Sequence, residues 1–299
     1  MIRPLGRVVG AVSLAAVLGG CAATDTPTQP RGSDPSRASG TSTSSPSSTS
    51  SSSTGTGQAR PPSLDRGLVT DLERVATAHP DAEVSVALAP VGGQEQPQVV
   101  GEAPGLVSWS TIKVPLSLAV IRAGQSHPAD IDAALTASDN EAARRLWEGL
   151  GAGAPASQAV QQQLRRGGDE RTRIPTVATV PGYSPFGQAT WHLRDQATFT
   201  SLLPCLSGAT SVTDAMGRVA DGQRWGLGGI DGARFKGGWG PTPEGYVVRQ
   251  LGLLPGTKGE GAAALQVRTG TYEQGTAIAD EIADVLRRHG RDLPTGSCD

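Results

Sequence analysis

The chain has 299 residues, 26 of them basic and 28 acidic, for a formal charge of −2. It contains no run of basic residues, which excludes the electrostatic footprint of a nucleic-acid-binding surface. Only three of the cations are lysines, Lys113, Lys236 and Lys258; these stand out because a buried lysine can lose its proton and an arginine effectively cannot.

Arg3 and Arg7 precede an uncharged run, Val8 to Gly20. That run is too short to span a bilayer and suits the apolar part of an export signal over residues 1–20. It ends in Leu18-Gly19-Gly20-Cys21, which resembles a bacterial lipoprotein signal with Cys21 as the lipidated new N-terminus. The alternatives are an ordinary secretory signal with a chance cysteine, or a buried apolar helix. An anchor of more than one acyl chain would hold the protein on the outer face of the cell membrane. Residues 21–63 follow as a tether: thirteen of the fourteen residues 41–54 are Ser or Thr. Such a stretch buries too little apolar surface to offset its ordering entropy. It would let a domain reach into a cell wall, or serve as a neutral linker.

The folding domain is expected over 64–299, long enough for one full hydrophobic core. Leu68 to Ala78 has helical spacing, and Pro80 ends it. Val84 to Ala89 alternates as a strand, Gly92-Gly93 marks a turn, and Gln98 to Gly101 is the candidate returning strand. A helix is predicted from Ser110 to Gly124, with Pro115 tolerated near its first turn. Ala129 to Leu135, Glu141 to Leu150, Gln158 to Leu164 and Leu193 to Leu203 read as further helices. Arg234 to Gly238, Gly245 to Leu254 and Ala262 to Arg268 form an expected antiparallel meander, closed by an amphipathic helix over Ala277 to His289. The expected fold is therefore α/β of the α+β kind. An antiparallel sheet of about five strands is flanked by N- and C-terminal helices, with a helical lobe inserted between the first and last strands. Cys205 and Cys298 are the two cysteines left after Cys21. In an exported chain they are expected to form a disulfide; two unpaired thiols are the alternative. His79, His127, His192 and His289 show no metal-ligand spacing, so no metal or other cofactor is expected.

Three segments carry chemistry. In Ser110-Thr111-Ile112-Lys113 the lysine lies on the same helical face as the serine. A serine hydroxyl needs a base within reach, and desolvation can lower a lysine pKa enough to provide one. At a helix start the Ser110 N–H would be free to bind a developing oxyanion. Ser138-Asp139-Asn140 reads either as a helix cap or as a proton relay and amide clamp. Phe235-Lys236-Gly237-Gly238-Trp239 reads as an edge strand whose glycines admit a substrate backbone, or as a Gly-rich strand end with a surface lysine.

In this order the three segments resemble those of the penicillin-recognising serine enzymes: class A β-lactamases, D-Ala-D-Ala peptidases and their relatives. The segments around Ser110 to Leu116, Ala134 to Ala143 and Gly168 to Ile174, with the helix from Leu193, are also similar to class A enzymes. The resemblance implies an acylated nucleophile at Ser110, a general base at Lys113 and a proton shuttle at Ser138. It implies an amide clamp at Asn140, a cation at Lys236 near the substrate carboxylate, close approach at Gly238 and a second oxyanion N–H from Trp239. The implied substrate is a small molecule or a peptidoglycan peptide.

Three departures qualify that. The position after Lys236 is Gly237, where the family usually has a hydroxyl residue. Residues 174–190 contain no Glu or Asp, where class A enzymes keep the carboxylate that activates the deacylating water. Ser138 follows Ser110 by only 28 residues, so part of the helical lobe is missing. Two readings stay open: an active cell-surface serine hydrolase or acyl transferase that turns over β-lactams poorly, or a non-catalytic relative that binds wall peptide or a protein.

Overall fold

Asp65 opens the first helix by accepting from Gly67 N at 2.7 Å and Leu68 N at 3.1 Å. The computed structural model describes residues 63–93 and 95–298. The expected export signal, Cys21 and all of the tether but Ser63 lie outside the described residues. Helix α1 (Arg66–Ala78) buries Leu68, Leu72 and Val75. Strands β1 (Glu83–Pro90) and β2 (Gln98–Val100) form the N-terminal hairpin, Val86 opposite Val100.

A two-residue strand, β3 (Leu106–Val107), leads into the helical lobe. The lobe holds α2 (Lys113–Arg122), α3 (Pro128–Thr136), α4 (Asn140–Gly149) and α5 (Gly153–Arg166). Strand β4 (Thr190–Trp191) pairs back onto β3, Leu106 opposite Trp191. Then come α6 (Leu193–Leu202), α7 (Ala209–Met216), β5 (Arg234–Thr242), β6 (Gly245–Gly256), β7 (Gly259–Thr269) and α8 (Tyr272–Arg288). The five long strands make one antiparallel sheet in the order β2-β1-β7-β6-β5. The first and last strands thus share a sheet with the lobe inserted between them, which is the expected fold class.

Two cores result. One lies inside the lobe, around Ile112, Leu116, Leu135, Leu146 and Phe199. The other lies between the sheet and helices α1 and α8, around Leu68, Val86, Phe235, Leu265 and Ile282. Among the described residues no helix is long and apolar enough to cross a membrane.

The structure departs from the sequence reading at several places: α5 starts at Gly153, five residues before the expected Gln158, and the short strands β3 and β4 were not expected. The helix expected from Ser110 begins at Lys113, and Trp109–Ile112 forms a separate 3-10 turn ahead of it. Helix α7 went unread because Thr210, Ser211, Val212 and Thr213 are poor helix formers. It holds because Val212, Ala215 and Met216 are buried in the lobe. Helix α8 starts five residues before the expected Ala277, where Thr271 Oγ1 accepts from Gln274 N at 3.2 Å. The glycine that masks this start, Gly275, packs on Val248; a Cβ there would lie 2.6 Å from Val248 Cγ2.

Cys205 and Cys298 are bonded, with Cα atoms 5.4 Å apart, closing a separation of 93 residues. Beside them the C-terminal segment adds to the sheet: Glu260 N donates to Gly296 O at 2.8 Å and Gly296 N to Glu260 O at 3.0 Å. Replacing both cysteines by serine should lower unfolding stability by about 2–4 kcal/mol, read by urea denaturation. An unchanged midpoint would show that the segment is held without the bond.

Candidate active site

The turn that carries Ser110 is fixed from several sides. Ser108 N donates to Ala189 O at 2.8 Å, and Thr111 N donates to Ser108 O at 3.2 Å. The Ser108 hydroxyl donates to Gly187 O at 3.2 Å. Between them Trp109 takes φ 47°, a left-handed conformation that costs a bulky residue about 1–3 kcal/mol. Its ring lies on Gly240, where a Cβ would fall 2.5 Å from Cζ2, and meets Tyr183 edge-on at 5.2 Å. Ser138 is the second strained residue here, at φ 56°. Asp139 fixes it by capping α4, its Oδ1 accepting from Ala142 N at 2.7 Å. The cap reading of this triplet holds in geometry, and the same triplet brings Ser138 and Asn140 onto a lysine.

That lysine is Lys113, which is 1% exposed. Its Nζ donates to Ser138 O at 2.6 Å, to Asn140 Oδ1 at 2.8 Å and, more weakly, to Ser138 Oγ at 3.4 Å. Burial lowers its pKa from the usual lysine value to about 8, against a smaller raising effect of Asp139. Lys236, fully buried, donates to Ser138 Oγ at 2.9 Å and to Gly237 O at 2.8 Å. Burial first, and repulsion from Lys113 second, hold its pKa well below the ordinary lysine range. The surface-lysine reading of Lys236 fails. The hydroxyl of Ser138 is the point on which both amines converge.

Ser110, Lys113, Asn140 and Trp239 line one cavity of about 400 Å³. Strand β5 is the edge of the sheet, so alternate N–H groups along it face away from any strand partner. Gly238 lies one residue before Trp239. A Cβ on it would lie 2.8 Å from Ser110 N, 2.9 Å from Thr111 N and 3.0 Å from Ser108 O. The neighbour that demands a glycine is thus the Ser108–Thr111 turn itself. Gly238→Ala should cost about 1–3 kcal/mol by overpacking and slow any acylation of Ser110, measured by thermal unfolding and probe labelling. Wild-type values for both would mean that β5 yields easily. Gly237 faces Trp225, whose Cζ2 would be 3.0 Å from an added Cβ; a hydroxyl residue there would press on the indole.

The sequence reading missed most of the cavity wall. Tyr183, Phe186 and Gly187 line it from the loop before β4, and Glu141, Arg144 and Trp147 from α4. The loop is organised by Gln188. Its Oε1 accepts from Thr179 N at 3.0 Å and Val180 N at 2.8 Å, and its Nε2 donates to Val180 O and Ser184 O at 3.2 Å. Glu141 is the one carboxylate among the lining residues. It is paired with Arg144, which donates to it at 2.7 and 2.9 Å. The signal for the α4 residues was available: they stand one, four and seven places after Asn140, on one face of the helix that it begins. For metals, Asp65, His289 and Asp292 offer ligand atoms within 4.8 Å of one another, and none of the three lines this cavity. Both His289 nitrogens are already engaged, by Asp71 at 2.9 Å and Asp292 at 3.5 Å.

No family model matches the chain, and no curated protein matches it. Solved structures do. An ancestral class A β-lactamase (GNCA) is 19% identical with a TM-score of 0.57, covering 74% of this chain and 99% of its own. A β-lactamase from Burkholderia vietnamiensis is 16% identical with a TM-score of 0.58, covering 75% and 97%. PBP-A is 17% identical with a TM-score of 0.56, covering 77% and 97%. At these identities the likeness is one of fold. The chain has the β-lactamase and transpeptidase-like fold of class A β-lactamases and PBP-A.

Proposed function

We propose that the protein is a cell-surface serine hydrolase or acyl transferase that forms an acyl-enzyme at Ser110 on a cell-wall peptide or a related amide or ester. The observation that carries this reading is the burial of Lys113 against Ser138 and Asn140. A neutral amine has two hydrogens and one lone pair; Ser138 O and Asn140 Oδ1 take the hydrogens. The lone pair is then open to a hydroxyl proton, and Ser110, three residues away, lines the same cavity. Lys113 Nζ would take the hydroxyl proton as Ser110 Oγ bonds to the substrate carbonyl carbon. The oxyanion would be met by the N–H groups of Ser110 and Trp239. Collapse breaks the bond to the leaving nitrogen or oxygen, which takes a proton through Ser138 Oγ, itself held by Lys236. Asn140 Nδ2, uncommitted among the described residues, would hold a substrate carbonyl.

The alternative is a non-catalytic binder of wall peptide or of a protein. The loop without carboxylates and Gly237 favour it over a β-lactamase, but a binder needs no desolvated lysine, and keeping one costs stability. Labelling with a fluorescent penicillin or a fluorophosphonate separates the two: the hydrolase is labelled and loses its label in Ser110→Ala, and the binder is never labelled. The site at the cell surface rests on Cys21. Mass spectrometry of the mature protein should find a diacylated or triacylated N-terminal cysteine; an unmodified N-terminus in the medium would remove the anchor.

A further inference from the structure

Among the described residues Arg249 is the only fully buried arginine, and it has no ion-pair partner. It sits on β6 directly opposite Gly238 of β5, and opposed residues share a sheet face. That face is the one Gly238 presses against the Ser110 turn. The two Nη atoms of the guanidinium meet neutral acceptors alone, and its buried Nε has no partner. Nη1 donates to Leu106 O at 2.9 Å and Val107 O at 3.2 Å. Nη2 donates to Trp191 O at 3.2 Å and Gln196 Oε1 at 2.8 Å. A cation buried against carbonyls is a costly occupant of a core strand, where an apolar side chain of similar volume would be cheaper. Its value must lie in what it orients.

We infer that Arg249 is a positioning residue for Ser110, acting through Gln196 and Thr111 on the backbone of the nucleophile turn. The inference rests on Ser110 as the nucleophile. The network has one direction. Because Gln196 Oε1 is committed to the guanidinium, its Nε2 faces Thr111 and donates to Oγ1 at 3.0 Å. With its lone pair so occupied, the Thr111 hydroxyl turns its hydrogen to Ser108 O at 2.5 Å. Gln196 and Thr111 are fully buried, so no water competes for these bonds. The same guanidinium grips both strands of the β3–β4 pair, which deliver the chain to Ser108 and away from the cavity loop. Trp109, in its left-handed conformation, lies between the two anchored residues, Ser108 and Thr111. Arg249 thus holds the strain that aims Ser110, and touches neither substrate nor reacting atoms.

The test uses the whole protein with Arg249→Met, Gln196→Met, Thr111→Val and Thr111→Ser. Two readouts are taken: the limiting rate and half-saturating concentration of probe labelling at Ser110, and amide hydrogen exchange across 108–112 against strand β7. Positioning predicts a limiting rate lower by on the order of 10- to 100-fold in Arg249→Met and Thr111→Val, with half-saturation little changed. It predicts near wild-type labelling in Thr111→Ser, which keeps the hydroxyl, and loss of protection at 108–112 while β7 stays protected. If Arg249→Met does not fold, Gln196→Met and Thr111→Val decide. Wild-type limiting rates with unchanged protection overturn the inference, as does a loss of protection spread equally over β7, which marks a purely structural arginine. Should the wild type itself go unlabelled, the proposed function fails and the exchange comparison alone judges Arg249.

Discussion

Lys113→Arg should lose Ser110 labelling nearly as completely as Lys113→Ala, a fall of roughly 10²- to 10⁴-fold, the usual contribution of a positioned base. The sign follows from chemistry. Arginine keeps the positive charge but stays protonated at any working pH, so it cannot accept the Ser110 proton. If charge were all that mattered, the arginine variant would be the milder of the two. The pH dependence has a definite direction as well. With a pKa of about 8, roughly one Lys113 in ten is neutral at pH 7. Labelling should therefore rise with pH and level off above about 8. Normal labelling of Lys113→Arg, or a flat profile from pH 6 to 9, would make the lysine a structural cation.

The second large effect concerns release. A β-lactam that acylates Ser110 should stay attached. The loop over 174–190 puts Tyr183, Phe186 and Gly187 against the cavity and no carboxylate. The one carboxylate that lines the cavity, Glu141, is exposed and paired with Arg144 at 2.7 Å. A missing general base slows hydrolysis by about 10²- to 10⁴-fold. Intact mass followed over hours after a brief exposure to penicillin should show a persistent adduct. Rapid turnover of a chromogenic cephalosporin would contradict this, and Glu141→Gln would then be the first variant to try.

The sequence was informative wherever a residue type is tied to local geometry. The period-2 strands, the helix stops at Pro80 and Gly124, the scarcity of lysine and the order of the three segments carried the fold and the polar centre. What could not be read depends on long-range packing. Nothing local says that Trp109 takes a positive φ; that follows from Gly240 and Tyr183, which accept its ring from distant segments. Gly238 looked like room for a substrate and proved to be room for the Ser110 turn, because only the pairing of β5 against that turn sets the distance. Helix α7 exists through burial and against its own propensities. Arg249 did leave a trace: a charge inside Val247-Val248-Arg249-Gln250-Leu251, a core segment in which Gln250 is the only other polar residue. A charged residue at such a position is a reason to look for what it grips.

Activation of Ser110 as a nucleophile by a desolvated lysine can be read out at the protein itself. Its most direct test is intact-protein mass spectrometry with peptide mapping after incubation with a penicillin and, separately, a fluorophosphonate at pH 8. One adduct per chain is expected on the peptide holding Ser110, absent in Ser110→Ala and in Lys113→Arg. No adduct with either reagent, or an adduct that survives Ser110→Ala, would contradict it.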